Sequence, residues 1–182
     1  MKATEEKELI LQLQDENSRD AAFTKLVNIY KEPLYWQIRR MVLNHDDADD
    51  ILQNTFIKAW NGIAAFRGES KLSTWLYRIG TNETLNFLER QHHPLISLDD
   101  EESHVATTLQ SDPHFDGDET QIQLQQAINQ LPAKQRQVFT LKYYDEMKYE
   151  DMSQILDTSV GALKASYHHA VKKICDFFNH NN

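Results

Sequence analysis

Arg78, Asn82 and Asn86 recur at four-residue spacing, with Thr74 one turn earlier and Trp75 beside it. On a helix these residues form one stripe. Guanidinium and carboxamide groups can hydrogen-bond the edges of unpaired bases, and a neighbouring indole gives them a stacking surface. A solvated polar face has the same pattern, so the stripe alone leaves both readings open. Near the end of the chain, Ala162, Ala165, His168, His169 and Lys172 share a helical face flanked by Lys164 and Lys173. Small residues let a helix approach a groove, while Lys and His reach phosphates and base edges. A third set, Asp50, Gln53, Asn54 and Ile57, places an isoleucine among hydrogen-bonding groups. That mixture marks a protein interface rather than a catalytic cleft.

The elements that must carry these sets read as helices throughout. Leu9 and Leu13, then Phe23, Leu26, Val27 and Tyr30, then Leu34, Ile38 and Val42 repeat at three and four residues. Asp46 is expected to N-cap a helix reaching about Trp60, with Ala48, Leu52, Phe56 and Ala59 inward. After a loop over 66–70, a helix over 72–90 turns Leu72, Leu76, Ile79 and Phe87 to the core. Further helices are expected over 122–129, after Pro132 at a first turn, and over 149–156. The last of these buries Tyr149, Met152, Ile155 and Leu156. It meets the tight turn Asp157-Thr158-Ser159, where Ser159 is a good N-cap for a final helix with Val160, Leu163, Tyr167, Val171 and Ile174 inward. Short helix, tight turn and basic helix spell a helix-turn-helix, although a plain helical hairpin fits the same pattern. The fold class expected is all-α.

The chain has 182 residues, 40% of them hydrophobic, with five Gly and four Pro; this supports packed cores and favours helices over a turn-rich β-fold. A net charge of -9 argues against a nucleic-acid partner until the chain is divided. Residues 1–91 hold 12 basic and 14 acidic residues, 92–120 hold no basic and 8 acidic ones, and 121–182 hold 7 and 6. The excess negative charge therefore sits in the middle, with Pro94, Pro113, Gly117 and the run Asp99-Asp100-Glu101-Glu102. We read 92–120 as a flexible acidic linker between small helical domains at 1–91 and 121–182. Fully extended, it spans at most ~95–100 Å. The longest apolar run, 63–66, is far short of the ~20 residues of a membrane helix. No apolar leader is visible among the first residues, so a cytoplasmic chain is expected. The single Cys175 excludes a disulfide framework and reads as a buried, inert thiol beside Ile174 and Phe177. His92, His93, His104 and His114 are irregularly spaced, and adjacent His168 and His169 point about 100° apart, so no metal or other cofactor is expected. No phosphate-cradling loop, nucleophile elbow or carboxylate pair appears, and no catalysis is expected.

Together these motifs carry a resemblance. Asp49-Asp50-Ile51-Leu52-Gln53-Asn54-Thr55-Phe56, Phe66-Arg67-Gly68-Glu69-Ser70 and Ser73-Thr74-Trp75-Leu76-Tyr77-Arg78-Ile79 look like region 2 of the bacterial sigma-70 family, in its extracytoplasmic-function (ECF) branch. Leu131-Pro132-Ala133-Lys134-Gln135-Arg136 and residues 149–174 look like region 4. The resemblance implies a subunit that binds core RNA polymerase through its clamp helices and flap, recognises the −10 and −35 elements of promoter DNA, and aids DNA opening. It implies polymerase contacts at Asp50 and Gln53, extended here to Asn54 and Ile57, with Asn54 standing where Glu is frequent. It places −10 recognition at Asn82 and a flipped base in the 66–73 loop, giving a surface of Phe66, Arg67, Ser73, Thr74, Trp75, Arg78, Asn82 and Asn86. The −35 surface is Ser159, Ala162, Lys164, Ala165, Ser166, His168, His169 and Lys172, with Lys164, Ser166 and His169 where relatives often carry Arg. The resemblance also allows for a membrane-bound or cytoplasmic anti-sigma partner, which would hold the chain near the inner membrane without any insertion of its own. The rival reading is a stand-alone helix-turn-helix regulator that works without core polymerase. It would leave the Asp50/Gln53/Ile57 face and the Arg78/Asn82 stripe idle.

Overall fold

The computed structural model describes residues 3–42, 44–91 and 119–181. Among them the regular structure is helical: α1 (Ala3–Gln14), α2 (Arg19–Arg39), α3 (His45–Gly62), a 3₁₀ turn (Ile63–Ala65), α4 (Leu72–Gln91), α5 (Glu119–Asn129), α6 (Ala133–Tyr143), α7 (Tyr149–Leu156) and α8 (Val160–Asn181). The segment read as a linker falls outside the described residues except for Glu119 and Thr120, which open α5. Helix α5 therefore begins three residues earlier than the sequence pattern predicts. The histidines at 92, 93, 104 and 114 also lie outside the described residues.

Helices α1 to α4 pack around Leu13, Leu26, Leu34, Leu72 and Leu76, all fully buried. A second apolar layer joins Ile38 and Met41 at the end of α2 to Ala48 and Ile51 of α3 and Leu88 of α4. Gly80 sits where α4 meets α2 and α3; a Cβ there would lie 3.4 Å from Leu34 Cδ2 and 3.6 Å from Thr55 Cγ2, in ordinary van der Waals contact. Because α3 lies between α2 and α4, its buried stripe is Ala48, Ile51, Thr55 and Ala59, while Leu52 and Phe56 are only half-buried.

Two local expectations are corrected. The N-cap of α3 is Asn44, not Asp46: Asn44 is extended (ψ 137) and its side chain accepts from the Asp46 N–H at 2.9 Å. Either residue type can cap, and the helix opens two residues earlier than the acidic run implies. Cys175 is exposed, not buried. One step of about 100° from buried Ile174 carries it off the apolar stripe.

The later helices have their own cores. One gathers Ile128, Phe139, Ala170 and Ile174; the other gathers Val138, Leu141, Met152 and Leu163. The earlier and later helices also touch. Tyr77 of α4 packs against the Leu141/Met152/Leu163 cluster, and Ala133 packs against the Ile38/Met41/Leu88 layer. Burial, followed by the Asp145 carboxylate, pushes the Tyr77 hydroxyl up to about 12.

Candidate functional site

Between Leu72 and Leu88, α4 is covered on nearly every side: Leu72, Thr74, Leu76, Gly80, Thr81, Thr84 and Leu88 are buried, and the residues between them are half-buried. Only Arg78, Asn82 and Asn86 are exposed in that span. The polar stripe is thus the single open strip of an otherwise enclosed helix. Thr74 does not belong to it. It is buried, 5% exposed, because the first turn of α4 is enclosed by its neighbours. Trp75 is half-buried, with its ring 5.1 Å from that of Phe66.

The loop before α4 is anchored from α1. Gln14 Nε2 donates to the Phe66 carbonyl at 2.8 Å, and Glu6 Oε1 accepts from the Leu72 N–H at 2.5 Å, capping α4 in trans. Gly68 takes φ +72, a conformation that favours glycine. These contacts present Arg67 to solvent but turn Phe66 inward, 7% exposed, into the α1–α4 core. Phe66 therefore serves as a buried anchor for Trp75, not as a free stacking surface; Ser73 is half-buried. Arg67, Trp75, Arg78, Glu69 and Ser70 line one wall of a cleft of about 730 Å³, and Ser153, Gln154 and Asp157 of α7 line the other. Glu6 and Gln14 were legible in the sequence only as part of an ordinary amphipathic helix. Their positioning role depends on tertiary contacts.

On α3, Asp50, Gln53, Asn54 and Ile57 are all exposed, as the helical spacing predicts. Ile57 is 52% exposed, and Trp60, one turn on, is 39% exposed. Trp60 extends the apolar part of this face, which its three-residue spacing from Ile57 could have revealed. An ion pair between Lys58 and Glu83 ties the face to α4.

In the last two helices, Asp157 adopts the left-handed conformation (φ 48, ψ 47) and its N–H donates to the Ser153 carbonyl, ending α7. Ser159 Oγ accepts from the Ala162 N–H at 3.3 Å and its carbonyl from the Leu163 N–H at 3.0 Å, opening α8. The buried stripe of α8 contains Leu163, Ala170 and Ile174. Ser159, Ala162, Lys164, Ala165, His168, His169 and Lys172 are exposed. Ser166 is half-buried, rotated toward the packed side beside Tyr167.

A capped basic helix following a short helix and tight turn, together with a separate Arg/Asn strip beside an indole, defines an all-α nucleic-acid-binding protein. Residues 26–93 match the family model for sigma-70 region 2, and residues 121–174 match that for sigma-70 region 4. The chain is 38% identical over 157 residues to the ECF RNA polymerase sigma factor SigW of Bacillus subtilis (strain 168), covering 81% of this chain and 83% of that protein. It is 31% identical to the ECF RNA polymerase sigma-E factor of Haemophilus influenzae, covering 79% and 80%. In fold it resembles CnrH, solved in complex with the cytosolic domain of CnrY (TM-score 0.71, 20% identity, 97% and 99% covered), and RpoE of Bartonella quintana, solved with the anti-sigma factor NepR (TM-score 0.65, 21% identity, 88% and 98% covered). The chain belongs to the sigma-70 family, in its ECF branch. No helix among the described residues is long and apolar enough to cross a membrane.

Proposed function

We propose that this ECF sigma factor works as a non-catalytic subunit that binds core RNA polymerase through the α3 face, reads single-stranded −10 sequence with α4 and its preceding loop, and reads duplex −35 sequence with α8. The observation that carries this over the stand-alone regulator is the α3 face itself: exposed Asp50, Gln53 and Asn54 beside exposed Ile57 and Trp60. A regulator touching only duplex DNA has no use for it. Desolvated carboxylate and carboxamide groups beside apolar anchors suit a protein partner rich in Arg. We assign residues 1–91 and 121–182 as separate functional domains and 92–120 as their acidic tether. Asn82 addresses Watson–Crick edges of an unstacked base, Arg67 and Arg78 hold phosphates, and Trp75 stacks. Partners of this chain are core polymerase, promoter DNA and an anti-sigma protein, with the cytoplasm as its compartment.

The test is transcription from genomic fragments with purified core polymerase. Specific initiation is expected only when the chain is added. Asp50→Ala with Gln53→Ala should weaken core binding at least about tenfold, a loss of about 1.4 kcal/mol, while the circular-dichroism spectrum stays helical. Unaltered core affinity would remove α3 from the interface.

A further inference from the structure

The start of α4 lacks a cap of its own. Helix α3 is capped by Asn44 and α8 by Ser159, but the residue before Leu72 is Lys71. Its carbonyl accepts from the Trp75 N–H at 3.1 Å, and its ammonium donates to Asp151 Oδ1 at 3.0 Å. A lysine side chain carries only donors and cannot take a helix N–H. The first turn of α4 holds no acidic residue either. The missing acceptor comes from 66 residues upstream: Glu6 Oε1, on half-buried Glu6 of α1, takes the Leu72 N–H at 2.5 Å. A carboxylate in that place also complements the positive end of the helix dipole.

Two hydroxyls join the same carboxylate. Burial, followed by Glu6, pushes the Tyr30 hydroxyl of α2 up, against a hydrogen bond with Ser73. Glu6, Tyr30 and Ser73 therefore form one polar cluster that ties α1 and α2 to the first turn of α4, beside the shared core of Leu9, Leu13, Phe66 and Leu72. Gln14 Nε2, ~12 Å further along α1, holds the other end of the loop by the Phe66 carbonyl at 2.8 Å. The chain from Phe66 to Leu72 could span ~20 Å if extended. One helix holds both its ends, and Gly68 turns it at φ +72, leaving Arg67 and Glu69 exposed. We propose that Glu6 is a positioning residue for −10 reading: its carboxylate sets the loop 66–71 and the first turn of α4, so that α1 takes part in promoter recognition without touching DNA. This rests on the assignment of α4 and its loop made above. A loop freed at one end must be ordered again by the strand it binds, and apparent affinity falls with the fraction of chains already in the binding arrangement. Loss of a cap shifts such an equilibrium about fivefold.

The experiment uses the full chain bound to core polymerase and a fluorescent single strand carrying the −10 region of a promoter found by the transcription test above. Glu6→Ala should weaken binding of that strand by about three- to fivefold and slow promoter opening. Core affinity, and the affinity of the free chain for −35 duplex, should stay at the wild-type value. Glu6→Gln keeps a carbonyl acceptor and should bind the strand as the wild type does. Lys71→Asn supplies a cap from the helix's own sequence, so Glu6→Ala with Lys71→Asn should match Lys71→Asn alone. Equal losses in strand, core and duplex binding would mark a general loosening of the fold and overturn the positioning role. Should Glu6→Ala fail to fold, Gln14→Ala releases the other end of the loop and carries the same test. A silent Glu6→Ala beside an Asn82→Ala that alters base preference overturns the role of Glu6 and leaves the −10 assignment standing. If Asn82→Ala, Arg78→Ala and Glu6→Ala are all silent, the −10 assignment falls, and the role of Glu6 falls with it.

Discussion

Asp145 carries a carboxyl that burial pushes above the ordinary carboxylate range, against the opposing pull of the Arg40 guanidinium. Arg40 reaches one oxygen, and the other has no partner. Desolvation therefore outweighs the pair's attraction, as is common for buried ion pairs. The sign follows from linkage. A carboxyl whose folded value is raised binds its proton more readily when folded, so its contribution weakens as pH rises from the ordinary value of 3.8 through the raised one. Asp145→Asn should accordingly gain on the wild type in thermal midpoint as pH rises from 3.8 toward neutrality. A gap independent of pH would show that the carboxyl titrates normally. On α4, single residues separate reading from holding. Asn82→Ala should change base preference at one position of a −10 oligonucleotide, because a carboxamide contact discriminates bases by about 1–3 kcal/mol. Arg78→Ala should weaken all sequences alike and lower the salt dependence. Competition binding with single-base variants distinguishes the two.

At the scale of elements, Ser159 shows how a cap can be tested apart from recognition. Its hydroxyl caps α8, so Ser159→Ala should cost about 1 kcal/mol in urea unfolding. Ser159→Asp should restore that stability, because a carboxylate both caps and complements the helix dipole, yet weaken duplex binding by adding negative charge beside the phosphates. If stability and DNA affinity fell and recovered together, the cap would be acting only through folding. This helix-turn-helix was readable in advance, because each of its signals is local: the apolar period of α7, the turn, the cap and the apolar face of α8. The 72–91 helix was readable only in part. Its strip of Arg78, Asn82 and Asn86 is open as the spacing implies, but Thr74 and Phe66 are buried and Tyr77 enters the core of the later helices. Periodicity tells which side of a helix is apolar, not how many neighbours enclose it. For the same reason the contacts of α6 with the earlier helices were invisible. Arg136 and Gln137 read as polar residues of an amphipathic helix, and nothing in their local sequence reveals that Met41 and Thr81 receive them.

For the whole molecule, the net charge of -9 and the exposed basic face of α8 pull in opposite directions. The free chain should bind duplex DNA through the exposed Lys164, Lys172 and Lys173 of α8. About three released counterions give a slope of log affinity against log salt near −2.7. Lys172→Ala should lower that slope by about 0.9. The acidic segment acts on the same balance. Replacing Asp99, Asp100, Glu101 and Glu102 with Ser or Asn at constant length removes four negative charges that repel DNA in the free chain. Within the polymerase, the family resemblance implies that this segment threads the positively charged channel later taken by nascent RNA. Threading makes its charge an attraction, so the neutralised chain should form weaker holoenzyme and alter early transcription while leaving the α8 salt slope nearly unchanged. If instead the segment folded onto α8, the same substitution would tighten duplex binding by the free chain and steepen the slope. Measuring polymerase affinity, abortive products and the salt slope on one preparation separates these outcomes. Should none of the three move, the negative run would serve only solubility, and the tether would matter for its length alone.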